Sequence, residues 1–195
     1  MSVSESLSGL IEHLRMTSLG RTEWYPERVR MAHETIDNIG ILLPERLNNL
    51  GSSCVISPTA DIHTTAILGS GVVVGDGAKI GPYSYLRRNV IVYDNVEIGY
   101  GVELDHAIIH EDVRIMHQSC IGRSIIGARS NLAYAFVVAT HRLDRMPVRV
   151  QLEDRSTYIS PAKHHGAVIG EDVQAAVNVS IMPGKSVSPS SLLFS

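Results

Sequence analysis

Ile56, Ile62, Leu68, Val74, Ile80, Leu86, Val92, Ile98 and Leu104 follow one another at intervals of six without a slip. That period belongs to neither a helix nor an ordinary strand, and it predicts a solenoid built of short strands and corners. The position four after each marker is also small or branched: Ala60, Ala66, Val72, Ala78, Ser84, Val90, Val96, Val102 and Ile108. These positions lie two before the next marker, so both point into the same interior. Glycine often follows the marker, as at Gly69, Gly75, Gly81 and Gly99, where access to positive φ is expected to ease a sharp turn.

The repeat resumes after one-residue deletions as Ile109, Ile115 and Ile121, and then as Ile126 and Leu132. It returns later as Ile169, Ala175, Ile181 and Val187. Deletions are tolerated at corners, so both blocks are expected to form one β-helix. The pattern resembles the hexapeptide-repeat, left-handed parallel β-helix family, in which three hexads make one triangular coil. The handedness is implied by that resemblance, because parallel crossovers are normally right-handed.

Two amphipathic helices are expected before the repeat. Leu7, Leu10, Ile11 and Leu14 follow helical spacing, with Ser4 as N-cap and Gly20 as a stop. A second helix is predicted from Pro26, carrying Val29, Ala32, Ile36, Ile39 and Leu43 and ending before Pro44. Residues 1–52 are thus read as an N-terminal helical cap over an open end of the β-helix, and residues 53–195 as the β-helix domain. A long loop at 133–165 interrupts that domain. It carries Arg142, Arg145, Arg149, Arg155 and Lys163 together with His141, His164 and His165. The alternation of Val148, Val150 and Leu152 predicts a hairpin or edge strand within it.

A net charge of −3 gives no electrostatic support for a nucleic-acid or anionic-membrane role. No long apolar run or charged leader is seen, and Cys54 and Cys120 have no zinc spacing, which together point to a cytoplasmic protein. Cys54 is read as a buried small hydrophobe.

Residues 116–144, MHQSCIGRSIIGARSNLAYAFVVATHRLD, carry a more specific likeness. His117-Gln118-Ser119-Cys120-Ile121-Gly122, then Ile126-Gly127, then Asn131 resemble the acetyltransferase half of archaeal-type sugar-1-phosphate nucleotidylyltransferases. The run GAVIGEDVQAAVNVSIMPGKSVSP at residues 166–189 resembles the coil after the loop in the same family. The resemblance implies a homotrimer that transfers an acetyl group from acetyl-CoA to an amino group of a sugar phosphate or nucleotide sugar, with no metal. It makes His117 the general base, a role suited to imidazole because its pKa lies near neutrality. It assigns Arg87, Asn131 and Arg142 to the substrate, and Lys163 and His164 to the cofactor. No glycine-rich nucleotide loop accompanies these residues, so nucleotidyl transfer is not expected of this chain.

Some positions depart from the family pattern. Asp105 stands where a phosphate-binding lysine is expected, Cys120 where a tyrosine is, and Tyr134 and Phe136 within a small-residue run. These departures support an alternative reading, a non-catalytic trimer that serves as scaffold, regulator or sugar-phosphate binder. A third reading takes His106, His110 and His117 as a metal set.

Overall fold

The computed structural model describes residues 20, 24–49 and 51–195. The helix expected over Leu7–Leu14 lies outside the described residues. The hexads form a parallel β-helix with three faces. Strands Ile67–Val74, Tyr85–Val92, Glu103–Ile109 and Cys120–Ile126 each bend across the first face and the second. The third face is a seven-stranded sheet of two-residue strands, among them Lys79–Ile80, Glu97–Ile98, Arg114–Ile115 and Asn131–Leu132. The marker residues and their partners four positions on, from Val72 to Ile181, fill the prism as one core cluster.

Both deletions fall at one corner, between the first and second faces. Leu86 pairs with Leu104, eighteen residues on, but Ile91 pairs with Ile108, seventeen on, so the lost residue lies in the Asp105–His106 turn. The following coil keeps the shorter turn at Gly122–Arg123. The long excursion leaves from this same corner of the next coil.

That excursion starts later than the sequence reading placed it. Val138 stands six after Leu132 and pairs with Ile121 and Ile181, and Phe136 is fully buried in the prism. The repeat therefore continues through residues 133–138, and the loop occupies 139–167. Phe136 fills the interior instead of crowding a substrate. The expected hairpin forms from Arg149–Gln151 and Thr157–Ile159, antiparallel.

The helix α1, Pro26–Asn49, runs through Pro44 instead of ending before it. Leu43 and Leu47 are both buried, and fully burying Leu47 is worth about 1.5–3 kcal/mol, comparable to the penalty for an interior proline. Nor does α1 cover an end of the solenoid. Ala32, Ile36, Ile39, Leu43 and Leu47 pack on Val55, Val73, Ile91, Ile108, Ile125 and Val168, the outward residues of the second face. The helix lies along that flank, across successive coils, because only this face offers it an apolar ladder. On its other side Val29 packs with Val150 and Leu152 of the hairpin.

The glycines that follow the markers answer a different need from the one expected. Gly69, Gly75, Gly81 and Gly99 are not at positive φ. A Cβ on Gly69 would sit 1.6 Å from the Arg87 carbonyl oxygen, so the constraint is the close stacking of coils. The left-handed corner positions are held instead by residues such as Tyr83, Asn95 and Gln118.

Candidate active site

The three faces differ in what they show outward. The second is covered by α1. The third bears a polar ladder, Lys79, Glu97, Arg114, Asn131 and Gln174 in register, which a solvated face accepts without a partner. The first presents Tyr85, Glu103, Cys120, Val137 and Ser180, and among the described residues neither a helix nor a charge ladder lies over it. The corner that ends this face is where the loop emerges, and the loop walls it into a cleft.

This cleft, of about 290 Å³, gathers Arg87, Asp105, Cys120, Gly122, Thr140 and His164 among its lining residues. Glycine at 122 keeps it open, since a Cβ there would stand 2.8 Å from Thr140 Cγ2. His164 is exposed and lies against His141, ring centroids 5.2 Å apart. Arg87 donates to Glu103 across 3.1 Å, and Arg88 to Asp105 across 3.2 Å. Asp105 and Glu103 raise the Arg87 pKa, so its charge is permanent and partly answered from within the chain. Burial opposes the Asp105 charge, but hydrogen bonding and charge from His106 and Arg88 hold its pKa below the ordinary range. The Cys120 thiol is pushed up, first by burial and then by Glu103, so it is not primed as a thiolate.

His117 lies at the opposite edge of the first face, on the exposed corner that also carries Tyr100 and Tyr134. A Cβ on Gly99 would sit 2.6 Å from His117 Nδ1, so the glycine lets the ring fold down onto the coil below. There Nδ1 accepts the Tyr100 backbone N–H across 2.9 Å. A neutral ring held this way carries its proton on Nε2, the nitrogen left for a ligand. It offers a hydrogen-bond donor, whereas the general-base role needs a bare nitrogen.

Within one chain the three histidines of the metal reading are kept apart. His106, His110 and His117 occupy three different corners of one triangular coil. His106 is buried against Asn89, and His110 stacks on Tyr93. No group of three ligating side chains is assembled among the described residues.

The other expected site residues are dispersed. Arg142 lines a second and larger cavity, of about 550 Å³, with Arg149, Gln151, Lys185 and Ser186. It is held by Asp144, whose pKa falls to about 2 through the hydrogen bonds from Arg142 and the Met146 N–H. Asn131 belongs to the polar ladder of the third face, and Lys163 is exposed on the loop. The structure thus brings together Arg87 and His164, and it leaves His117, Asn131, Arg142 and Lys163 apart from them.

A buried polar chain was missed in the sequence. Asp37 Oδ1 lies 2.9 Å from His165 Nδ1, His165 Nε2 lies 2.7 Å from His33 Nδ1, and His33 Nε2 lies 2.9 Å from Ser186 Oγ. Tyr158 and Ser160 also donate to Asp37, at 2.6 and 2.8 Å. Burial opposes the Asp37 charge, but these bonds hold its pKa low. Burial first, then His165, lowers the His33 pKa to about 3 against a smaller upward pull from Asp37. The signal lay in α1 itself: His33 and Asp37 stand four apart on a helix face otherwise made of apolar residues.

Among the described residues no helix is long and apolar enough to cross a membrane. The sequence profile of the family described as the GMPPB C-terminal domain matches residues 76–194. The bifunctional protein GlmU of Methanococcus maripaludis strain C5 is 35% identical over 112 residues, 57% of this chain and 27% of its own length. A bifunctional sugar-1-phosphate nucleotidylyltransferase/acetyltransferase of Sulfurisphaera tokodaii is 35% identical over 133 residues, covering 68% of this chain and 33% of its own length. The chain therefore spans about a third or less of the length of these two relatives. Among solved structures, the acetyltransferase domain of PglB from Neisseria gonorrhoeae aligns at 19% identity with a TM-score of 0.45, over 82% of this chain and 63% of that domain. With the profile match running over most of the coils, the chain belongs to the GMPPB C-terminal domain family of hexapeptide-repeat β-helices.

Proposed function

We propose that this chain is an acyltransferase of the hexapeptide-repeat type, moving an acetyl group from acetyl-CoA to an amino group of a sugar phosphate or nucleotide sugar. The observation that carries the reading is the cleft at the end of the first face, which Arg87 and His164 both line beneath the loop. The arginine fork suits a phosphate, and among the described residues the face is open to a second copy of the chain. In a homotrimer such faces pair, and His117 of one edge then reaches into a shared groove. The acceptor amine forms its bond to the acetyl carbon, the C–S bond breaks to release coenzyme A, and the proton the amine loses reaches the departing sulfur through water. His117 serves through its Nε2–H, donating to the oxygen that gains charge in the tetrahedral intermediate. Lys163, Asn131 and Arg142 act, in this reading, only where the groove extends beyond the cleft of one chain.

A second reading, a sugar-phosphate binder without transfer, is favoured by one observation: Arg87 is already paired with Glu103, with Asp105 close by. Titration calorimetry with acetyl-CoA, with and without glucosamine-1-phosphate, together with a thiol-release assay, separates the two. Binding of both ligands with thiol release establishes the transferase. Binding of the sugar phosphate alone, with no thiol released, establishes the binder.

A further inference from the structure

We propose that Ser186 is a nucleophile, served by the buried chain His33–His165–Asp37, and that its cavity takes small acyl esters or thioesters bearing an anionic group. This site is separate from the Arg87 cleft, and it is built from three parts of the chain: α1, the loop and a late coil. The direction of every proton in it follows from its two ends. Asp37 is held as a carboxylate and only accepts, so His165 carries its proton on Nδ1. His165 Nε2 is then an acceptor, which places the His33 proton on Nδ1 at 2.7 Å. His33 Nε2 is left with a lone pair 2.9 Å from Ser186 Oγ, so the serine hydroxyl donates to it.

A hydroxyl whose proton is drawn by an imidazole, itself oriented by a further acceptor, is the arrangement that activates serine for attack. Burial resists a charge on His33, so the proton taken at its Nε2 is relayed: the His33 Nδ1 proton passes to His165 Nε2, whose Nδ1–H is held by the Asp37 carboxylate. His33 and His165 are fully buried, whereas Ser186 is partly exposed and lines the 550 Å³ cavity. Arg149 and Lys185 line the same cavity and give it a positive wall for an anionic substrate and for a developing oxyanion. In the reaction the Ser186 Oγ–carbon bond forms, the bond from carbon to the alcohol or thiol oxygen or sulfur breaks, and the serine proton passes through His33 Nε2 to the leaving group. Water then cleaves the acyl-serine and regenerates the hydroxyl.

A purely structural role for the network would leave Ser186 unreactive, which makes reactivity the test. The folded full chain is treated with a fluorophosphonate, and the adduct is mapped by mass spectrometry. The phosphonyl group is expected on Ser186, at least tenfold faster than on Ser188, a more exposed serine nearby whose pocket has no histidine among its described lining residues. Labelling is expected to vanish in urea and to slow at least tenfold in a folded His33→Gln variant. No adduct on Ser186, or labelling of Ser188 at the same rate, overturns the proposal, and neither outcome depends on a variant that must fold.

Discussion

The Tyr100 backbone N–H donates to His117 Nδ1 across 2.9 Å, which fixes the imidazole proton on the nitrogen that faces outward. The two roles open to His117 therefore predict different mutants. As a donor it is replaced in part by glutamine, whose amide also carries N–H. Thiol release in His117→Gln is expected to stay within about tenfold of wild type, while His117→Ala loses about 10²–10³-fold. Equal losses in both variants would restore the base.

Arg87 and Glu103 stand on adjacent coils of the first face, 3.1 Å apart, and both side chains are substantially exposed. Such a pair contributes little to stability but competes with a phosphate for the same fork. Glu103→Gln is expected to tighten glucosamine-1-phosphate binding several-fold, and Arg87→Ala to abolish it, with Tm nearly unchanged in the first case. Calorimetry at low and moderate salt checks this, since the gain shrinks as ions screen the site.

How far the sequence carried can be traced residue by residue. The hexads were legible because each coil needs an inward pair at fixed spacing, and a lost residue at 105–106 leaves the strand pairing intact. The flank position of α1 was legible in principle. Val73, Ile91, Ile108 and Ile125 face outward on one side only, and the equivalent positions elsewhere are Lys79, Glu97 and Arg114 or Tyr85, Glu103 and Cys120. The site was less legible because closeness in sequence is not closeness in space here. Seventeen or eighteen residues return the chain to the same place, while six carry it to another face. His117 and Arg87 thus fall on opposite edges of one face, and Asn131 falls on another. His33, Asp37, His165 and Ser186 meet only because the helix and the loop dock on one flank, which no local pattern encodes.

That docking gives the protein a pH dependence of definite sign. His33 has a pKa near 3 in the folded chain, against an ordinary value of 6.5. Between those values the unfolded chain binds a proton that the folded chain refuses, so stability is full above about pH 6.5 and is lost as pH falls. The slope is at most about 1.4 kcal/mol per pH unit for this one group. Asp37, whose pKa is also depressed, adds a further loss as pH falls through the carboxylate range. Urea unfolding at pH 7, 6, 5 and 4.5 is expected to show this decline. His33→Gln is expected to be less stable at pH 7 and to have a slope smaller by about one proton. A wild-type stability flat from pH 7 to 5 would contradict a His33 held neutral by burial.

The loop's return to the solenoid depends on one glycine. A Cβ at Gly166 would stand 2.2 Å from the Gly122 carbonyl oxygen and 2.2 Å from Ser124 Oγ, and the first of these is backbone that cannot swing away. Gly166→Ala must therefore push out the segment that holds His164 in the cleft and His165 in the buried chain, at a cost of about 3 kcal/mol. Gly40 makes the contrast: its Cβ would meet His106 Nε2 at 3.2 Å, a side-chain contact that yields by a few tenths of an ångström. Helix propensity favours alanine there by about 1 kcal/mol, so Gly40→Ala is expected to change stability little. Limited proteolysis in residues 139–165 should accelerate in Gly166→Ala and not in Gly40→Ala, and urea unfolding should separate the two variants by more than about 2 kcal/mol. If both behave alike, the close backbone approach at Gly166 is not what seats the loop.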